Sequence, residues 1–313
     1  MADKPSRALV LYGDGLAQLI DESHTHIHSL ASKASCGFLS LPNAPSSESE
    51  NERIVREFAH LVDAYDAYQE MSNEKCTLIP TISQRFMEMK AAIITDNPSL
   101  QSFGSKLGFT VLSFKCLNGT HKSHYESSFE DLTSELLKLL GFQEGKTIEA
   151  SQFDLVILHT GASELLNSDS SEATECDAHY LNSMVKETMY NAKPGSEIGS
   201  RLHLSLVMSY GNASKIDSTN LSVLVSKDEM NSDLSVLVPR QSYTMKGEKL
   251  RDNVRHHCPM LIAQWQHAVT RKDTAETYSY KEFKEHGVNL VIPADRFIHE
   301  VAFKLWKAPK YGA

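Results

Sequence analysis

Cysteine is scarce and scattered. The chain has five, Cys36, Cys76, Cys116, Cys176 and Cys258, an odd number without a CxxC pair. That excludes a zinc ribbon and a disulfide framework, and leaves the thiols as small apolar fillers in a reducing compartment. Long apolar runs are missing too. None approaches the roughly 18 to 20 residues that a membrane span needs. The opening segment, MADKPSRALVLYG, lacks the order of charged, apolar and small residues that marks a secretory signal, so the expectation is a cytoplasmic protein. No dense Lys/Arg block occurs and the formal net charge is −9, which argues against a nucleic-acid surface. There is no Walker A sequence, no G-x-G-x-x-G after a strand and no G-x-S-x-G, so the common phosphate-loop, dinucleotide and hydrolase-elbow chemistries lack their motifs.

What is there is an ordinary globular composition, 41% hydrophobic and 23% charged, over a length that suits one large α/β domain. The stretch Arg7 to Leu39 organises the reading. Ala8 to Leu11 is a short buried strand, Gly13-Asp14-Gly15 a tight turn, and His24, His26 and His28 follow in a polar segment before a helix-like run from Ser29. An acidic residue at the mouth of a first strand, with histidines close behind, is where an α/β protein places its chemistry. Asp14 is a candidate metal ligand; a turn aspartate fits the same residues. Alternating histidines on an extended segment would point to one face and could hold one metal ion; a solvated stretch fits equally.

Further along, the periodicity predicts a helix from about Glu50 to Met71, a strand over Ala91 to Thr95, a helix over Ser99 to Leu107 capped by Gly108, and a strand over Phe109 to Phe114. That is a βαβ unit. Phe129 to Leu140 is an amphipathic helix. Phe153 to Leu158 is a continuous apolar strand of the kind buried on both faces of a parallel sheet. Leu165 to Cys176 reads as loop, Asp177 to Asn191 as helix, and Leu202 to Met208 as strand. Late strands are expected at Cys258 to Trp265 and Val288 to Ile292, with a helix at Glu248 to His257 and another at Asp295 to Lys307. Residues 212–250 read as an excursion or lid within a single domain spanning 1–313. The fold class is therefore α/β, a three-layer sandwich around a mostly parallel sheet with a small inserted excursion.

The order of these parts resembles the alkaline-phosphatase-like superfamily, and within it the archaeal type of cofactor-independent phosphoglycerate mutase. The residues that carry the resemblance are Asp14-Gly15 after the first strand, Met89-Lys90-Ala91-Ala92-Ile93-Ile94, Lys106-Leu107-Gly108-Phe109, and Phe153-Asp154-Leu155-Val156-Ile157-Leu158-His159. The resemblance covers nearly the whole chain and rests on order, since no single motif is diagnostic. It implies two divalent metals, Mn or Zn, held by Asp and His at strand ends, a Ser or Thr nucleophile between them, and a small phosphorylated metabolite as substrate.

Residue by residue, the implied set is thin. Asp14 matches the first ligand. The nucleophile position falls on His24, with Thr25 one place off. His159 matches the histidine of the late strand, and His257 (or His256) the final one, while His26 and His28 remain as local alternatives. The expected Asp-His pair at the end of the next strand is replaced by Ser209-Tyr210. A two-metal centre stripped of most ligands loses its affinity. The sequence therefore points to a catalytically degenerate member of the fold, with a binding or regulatory role and a protein partner. The alternative is a divergent metal-dependent phosphatase or phosphomutase using Asp14, the three histidines and His257.

Overall fold

The computed structural model describes residues 5–45, 47–72, 80–117, 129–148, 151–161, 171–211, 245–246, 249–251, 253–255, 257–287 and 291–309. Eight strands form the central sheet: β1 (Arg7–Asp14), β2 (Ser35–Ser40), β3 (Ala91–Ile94), β4 (Thr110–Leu112), β5 (Leu155–Gly161), β6 (Leu202–Met208), β7 (Met260–Trp265) and β8 (Val291–Pro293). Their order across the sheet is β8-β2-β7-β6-β1-β5-β3-β4. All run parallel except β7, which is antiparallel to both β2 and β6.

β1 sits in the middle because its sequence suits nothing else. All eight of its residues are buried. Leu9 and Leu11 enter the core on one face, and Ala8, Val10 and Tyr12 enter the core on the other. Alternate residues of a strand point to opposite faces, so an unbroken apolar run fits only where both faces are covered. Ile27, Leu181 and Phe283 help cover one face, from helices Thr25–Ala31, Ser171–Asn191 and Tyr280–His286. The other face is covered by Phe58, Phe103 and Phe297, from helices Glu50–Leu61, Pro98–Lys106 and Ala294–Lys304. The three layers expected from the alternation of strands and helices are present.

Four local expectations change. The loop expected over Leu165 to Cys176 gives way at Ser171 to the helix Ser171–Asn191, which starts six residues before the expected Asp177. The histidine segment is helical, not extended, and belongs to Thr25–Ala31. The helix expected from Glu50 to Met71 is broken into Glu50–Leu61 and Tyr65–Ser72, with Asp63 between them at φ 50°, a left-handed conformation that no helix can pass through. Where a helix was expected from Glu248 to His257, the described residues hold a two-residue strand, Lys249–Leu250, paired with Met245–Lys246, and an isolated bridge from Val254 to Pro42. The excursion expected over 212–250 lies mostly outside the described residues.

Candidate functional site

The C-terminal ends of parallel strands gather at one edge of the sheet, and there the topology brings Asp14, His159 and Ser209 together. Asp14 ends β1, Ser209 follows β6 on one side, and His159 lies in β5 on the other, level with Tyr12. Asp14 is 2% exposed. Its carboxylate is fully engaged. Arg53 donates from one nitrogen to Oδ1 at 2.9 Å and from the other to Oδ2 at 2.5 Å. Ser209 Oγ donates to Oδ1 at 2.7 Å, and Tyr12 Oη donates to the same oxygen at 3.3 Å. Ser209 Oγ in turn accepts the Gly15 N–H at 2.9 Å, which ties the turn after β1 to the end of β6.

Arg53 comes from the helix Glu50–Leu61, whose start is fixed by a capping box between Ser49 and Glu52. Residues four apart on a helix share a face. Arg53 and Glu57 accordingly lie side by side, 3.1 Å apart, and Arg53 also reaches Glu50 Oε1 at 2.6 Å. Glu57 is completely buried and accepts from Arg255 as well, at 3.2 Å. Arg56 donates to both oxygens of Glu48. Three arginines and four carboxylates thus form a continuous network beneath the strand ends. Burial alone would push the Asp14 carboxyl up, but the Arg53 guanidinium outweighs it and holds the group below its ordinary value as an anion. Burial, with the Asp14 charge beside it, pushes the Tyr12 hydroxyl up, so it stays protonated and able to donate.

The other expected site residues are distributed as follows. His159 is fully buried, shares a hydrogen bond with Thr95 Oγ1 at 3.0 Å and lies 5.2 Å, ring to ring, from Tyr12. His24 is buried, stacks on His179 at 4.6 Å and bonds Asp21 at 2.8 Å. Thr25 beside it is exposed. His28 bonds the Asp21 carbonyl and accepts the Tyr278 N–H. On a helix, positions two apart point about 200° away from each other, so His26 faces away from His28, while His24 lies outside the helix as its N-cap. His257 is exposed, in the bend next to the buried Arg255. Among the described residues, the one group of three side chains whose donor atoms could converge on an ion is Glu282, Glu285 and His286, on a surface helix, and it includes none of the expected ligands. The donor set at Asp14 does not fit a divalent cation. Both its oxygens already face a guanidinium, and so does the neighbouring Glu57 carboxylate.

Arg53, Glu57 and Arg255 escaped the sequence reading. The local signal was an Arg-x-x-x-Glu pair set among the inward apolar positions Ile54, Phe58 and Leu61 of one helix.

Solved structures give the fold its comparison. The chain is similar to the PH0037 protein from Pyrococcus horikoshii, with 11% identity, 99% of each chain covered and a TM-score of 0.53. It is also similar to the cofactor-independent phosphoglycerate mutase from Thermoplasma acidophilum, with 9% identity, 96% of this chain and 99% of that one covered, and a TM-score of 0.49. The lipoteichoic acid synthase LtaP from Listeria monocytogenes matches at 11% identity over 87% of this chain and 68% of that one, with a TM-score of 0.47. The likeness to the PH0037 protein is one of fold, a mostly parallel sheet between layers of helices. At these identities the likeness is one of architecture alone. No family model and no curated protein matches the chain. No helix among the described residues is long and apolar enough to cross a membrane. Within this frame, the strand-end edge around β1 is filled by an internal cation, Arg53.

Proposed function

We propose that the chain is a catalytically degenerate protein of the alkaline-phosphatase-like fold that works by binding, in a cytosolic regulatory role with a protein partner. The observation that carries this reading is the pairing of Arg53 with both oxygens of Asp14. A strand-end carboxylate that bound a metal would need those oxygens free, and here they are neutralised from within the chain. Ser209 and Tyr12 complete its hydrogen bonds, so the carboxylate lacks nothing that an ion would supply. The arrangement does what a buried ion pair does, fixing two elements against each other.

The test is elemental analysis of the purified protein, followed by a phosphate-release screen with Mn and Zn added. The expected result is metal-free protein without turnover. Stoichiometric metal, with turnover abolished in Asp14→Ala, would overturn the proposal and establish the divergent phosphatase or phosphomutase instead.

A further inference from the structure

A cavity of about 750 Å³ opens on the same edge of the sheet as Asp14 but in a different place, beyond the ends of β2 and β8. Between β2 and β1 stand β7 and β6, so the arginine network does not occupy it. Its volume is in the range of small-molecule sites, and the strand-end edge of an open α/β sheet is where such sites form.

The chemistry of its wall is specific. Lys246 and Arg251 contribute cations, but neither charge is unmatched. Lys246 lies 2.9 Å from Asp63 and 3.3 Å from Asp295, and Arg251 lies 3.0 Å from Asp295. Asp66 adds another carboxylate to the wall. The cations are therefore balanced by acids, and a phosphate entering here would meet carboxylates as well as cations. Leu41, Val254 and Pro293 supply apolar surface. Ser40, Tyr65 and Asn253 add neutral polar groups, and so does His60, from the last turn of the helix that carries Arg53. It is 6% exposed, stacks on Tyr65 at 4.2 Å, and its Nε2 has no hydrogen-bond partner. Burial, reinforced by Arg56, Lys246 and Arg255, pulls its pKa down to about 3, so the ring is neutral, with one donor and one acceptor nitrogen. Buried polar atoms are ordinarily paired; of those without a partner among the described residues, this is the one on a residue that lines the cavity, and a turn of the ring would present it to a molecule bound there.

We infer that this cavity is a binding site for a small, uncharged molecule with an apolar body and a hydroxyl, amide or ring N–H that hydrogen-bonds His60. The site gives the binding role a location, and it stands whether or not Asp14 ever holds a metal.

The full-length protein with isotope-labelled histidine rings is titrated, by NMR, with benzamide and indole as neutral probes and phenyl phosphate as the anionic one. The neutral probes are expected to shift the His60 ring signals saturably, and phenyl phosphate to leave them in place. His60→Phe keeps the stacking on Tyr65 and should weaken neutral-probe binding about tenfold. Val254→Trp fills the cavity while leaving His60 intact, and should abolish saturation. Circular dichroism and melting curves report whether each variant is folded. Saturable binding of phenyl phosphate at the His60 signals, no response to either neutral probe, or unchanged binding in the folded Val254→Trp protein would each overturn the inference. None of these results depends on metal content, so the site and the non-catalytic reading fail separately.

Discussion

Arg53→Met keeps the side-chain stem and removes only the guanidinium. Asp14, 2% exposed, would keep Ser209 and Tyr12 as neutral donors, and Glu57, fully buried, would keep Arg255. Removing one partner of a buried ion pair leaves an uncompensated charge and costs about 3–5 kcal/mol. The entropy of unfolding at the midpoint scales with length, and for a chain of 313 residues that cost corresponds to a fall in Tm of about 5–8 °C.

The pH dependence separates this account from simple loss of packing. In the native protein the Asp14 carboxyl is held below its ordinary value. Its contribution is therefore fully present above the ordinary carboxylate pKa and is lost as the pH falls through the lowered one. In Arg53→Met, burial acts without the opposing cation and pushes the same carboxyl up. The variant should then regain stability as the pH drops from neutral toward about 4, because the neutral acid tolerates burial. Urea denaturation at neutral and mildly acidic pH measures both quantities, and the deficit of the variant should shrink with acid. Adding Asp14→Asn to Arg53→Met should recover most of the loss at neutral pH, since the orphaned charge disappears. A deficit below about 1 kcal/mol, or one that does not change with pH, would refute the claim that the Arg53–Asp14 pair is the principal charge balance at this edge.

Three further outcomes follow from the same contacts. Arg53→Ala empties the space between Asp14, Glu57 and Ser209, so Mn should raise the Tm of that variant by thermal shift and leave the unaltered protein unmoved; at a metal concentration of 100 Kd the gain is about 2.7 kcal/mol, and equal responses would refute it. Ser209→Ala strips a donor from Asp14 and an acceptor from the Gly15 N–H, and should cost about 1–3 kcal/mol in denaturant unfolding. His26→Ala should change stability by less than about 0.5 kcal/mol and leave Zn uptake by calorimetry unaltered, because the half-buried ring does not share a helix face with His28.

The parts of the fold that the sequence carried plainly are those decided locally. β1 and β5 read as strands because both are continuous apolar runs, and the pieces over Ala91 to Leu112 read as a βαβ unit because Asn97, Pro98 and Gly108 punctuate them. The reversed direction of β7 was not legible, since an apolar run looks the same whichever way it is threaded. The helix Thr25–Ala31 was missed for a different reason. His-Thr-His-Ile-His has little helix propensity, and His24 at the N-cap makes no side-chain capping bond. The cap comes from elsewhere: Asn182 Oδ1 accepts the N–H groups of His26 and Ile27 at 3.0 and 3.1 Å. A residue more than 150 positions away decides the conformation, and with it the direction in which each histidine points.

The same separation hid the centre of the candidate site. Asp14 and Arg53 are 39 residues apart, and Glu57 and Arg255 are 198 apart. Read singly, Asp14 suggests a ligand awaiting a metal, and Arg53 suggests a solvated helix face. Only their meeting turns both into an internal ion pair. The helix Glu50–Leu61 is what makes them meet, and it carries a second consequence. Arg53 and Glu57 on its inner face close the edge at β1, while His60, one turn further on, reaches the cavity beyond β2 and β8. An ion pair that anchors the start of this helix therefore also sets where His60 stands. If Arg53→Met loosens that anchor, the His60 ring signals should shift even before a probe is added. If they do not move in a folded Arg53→Met protein, the closed edge and the open cavity are independent features of the same sheet.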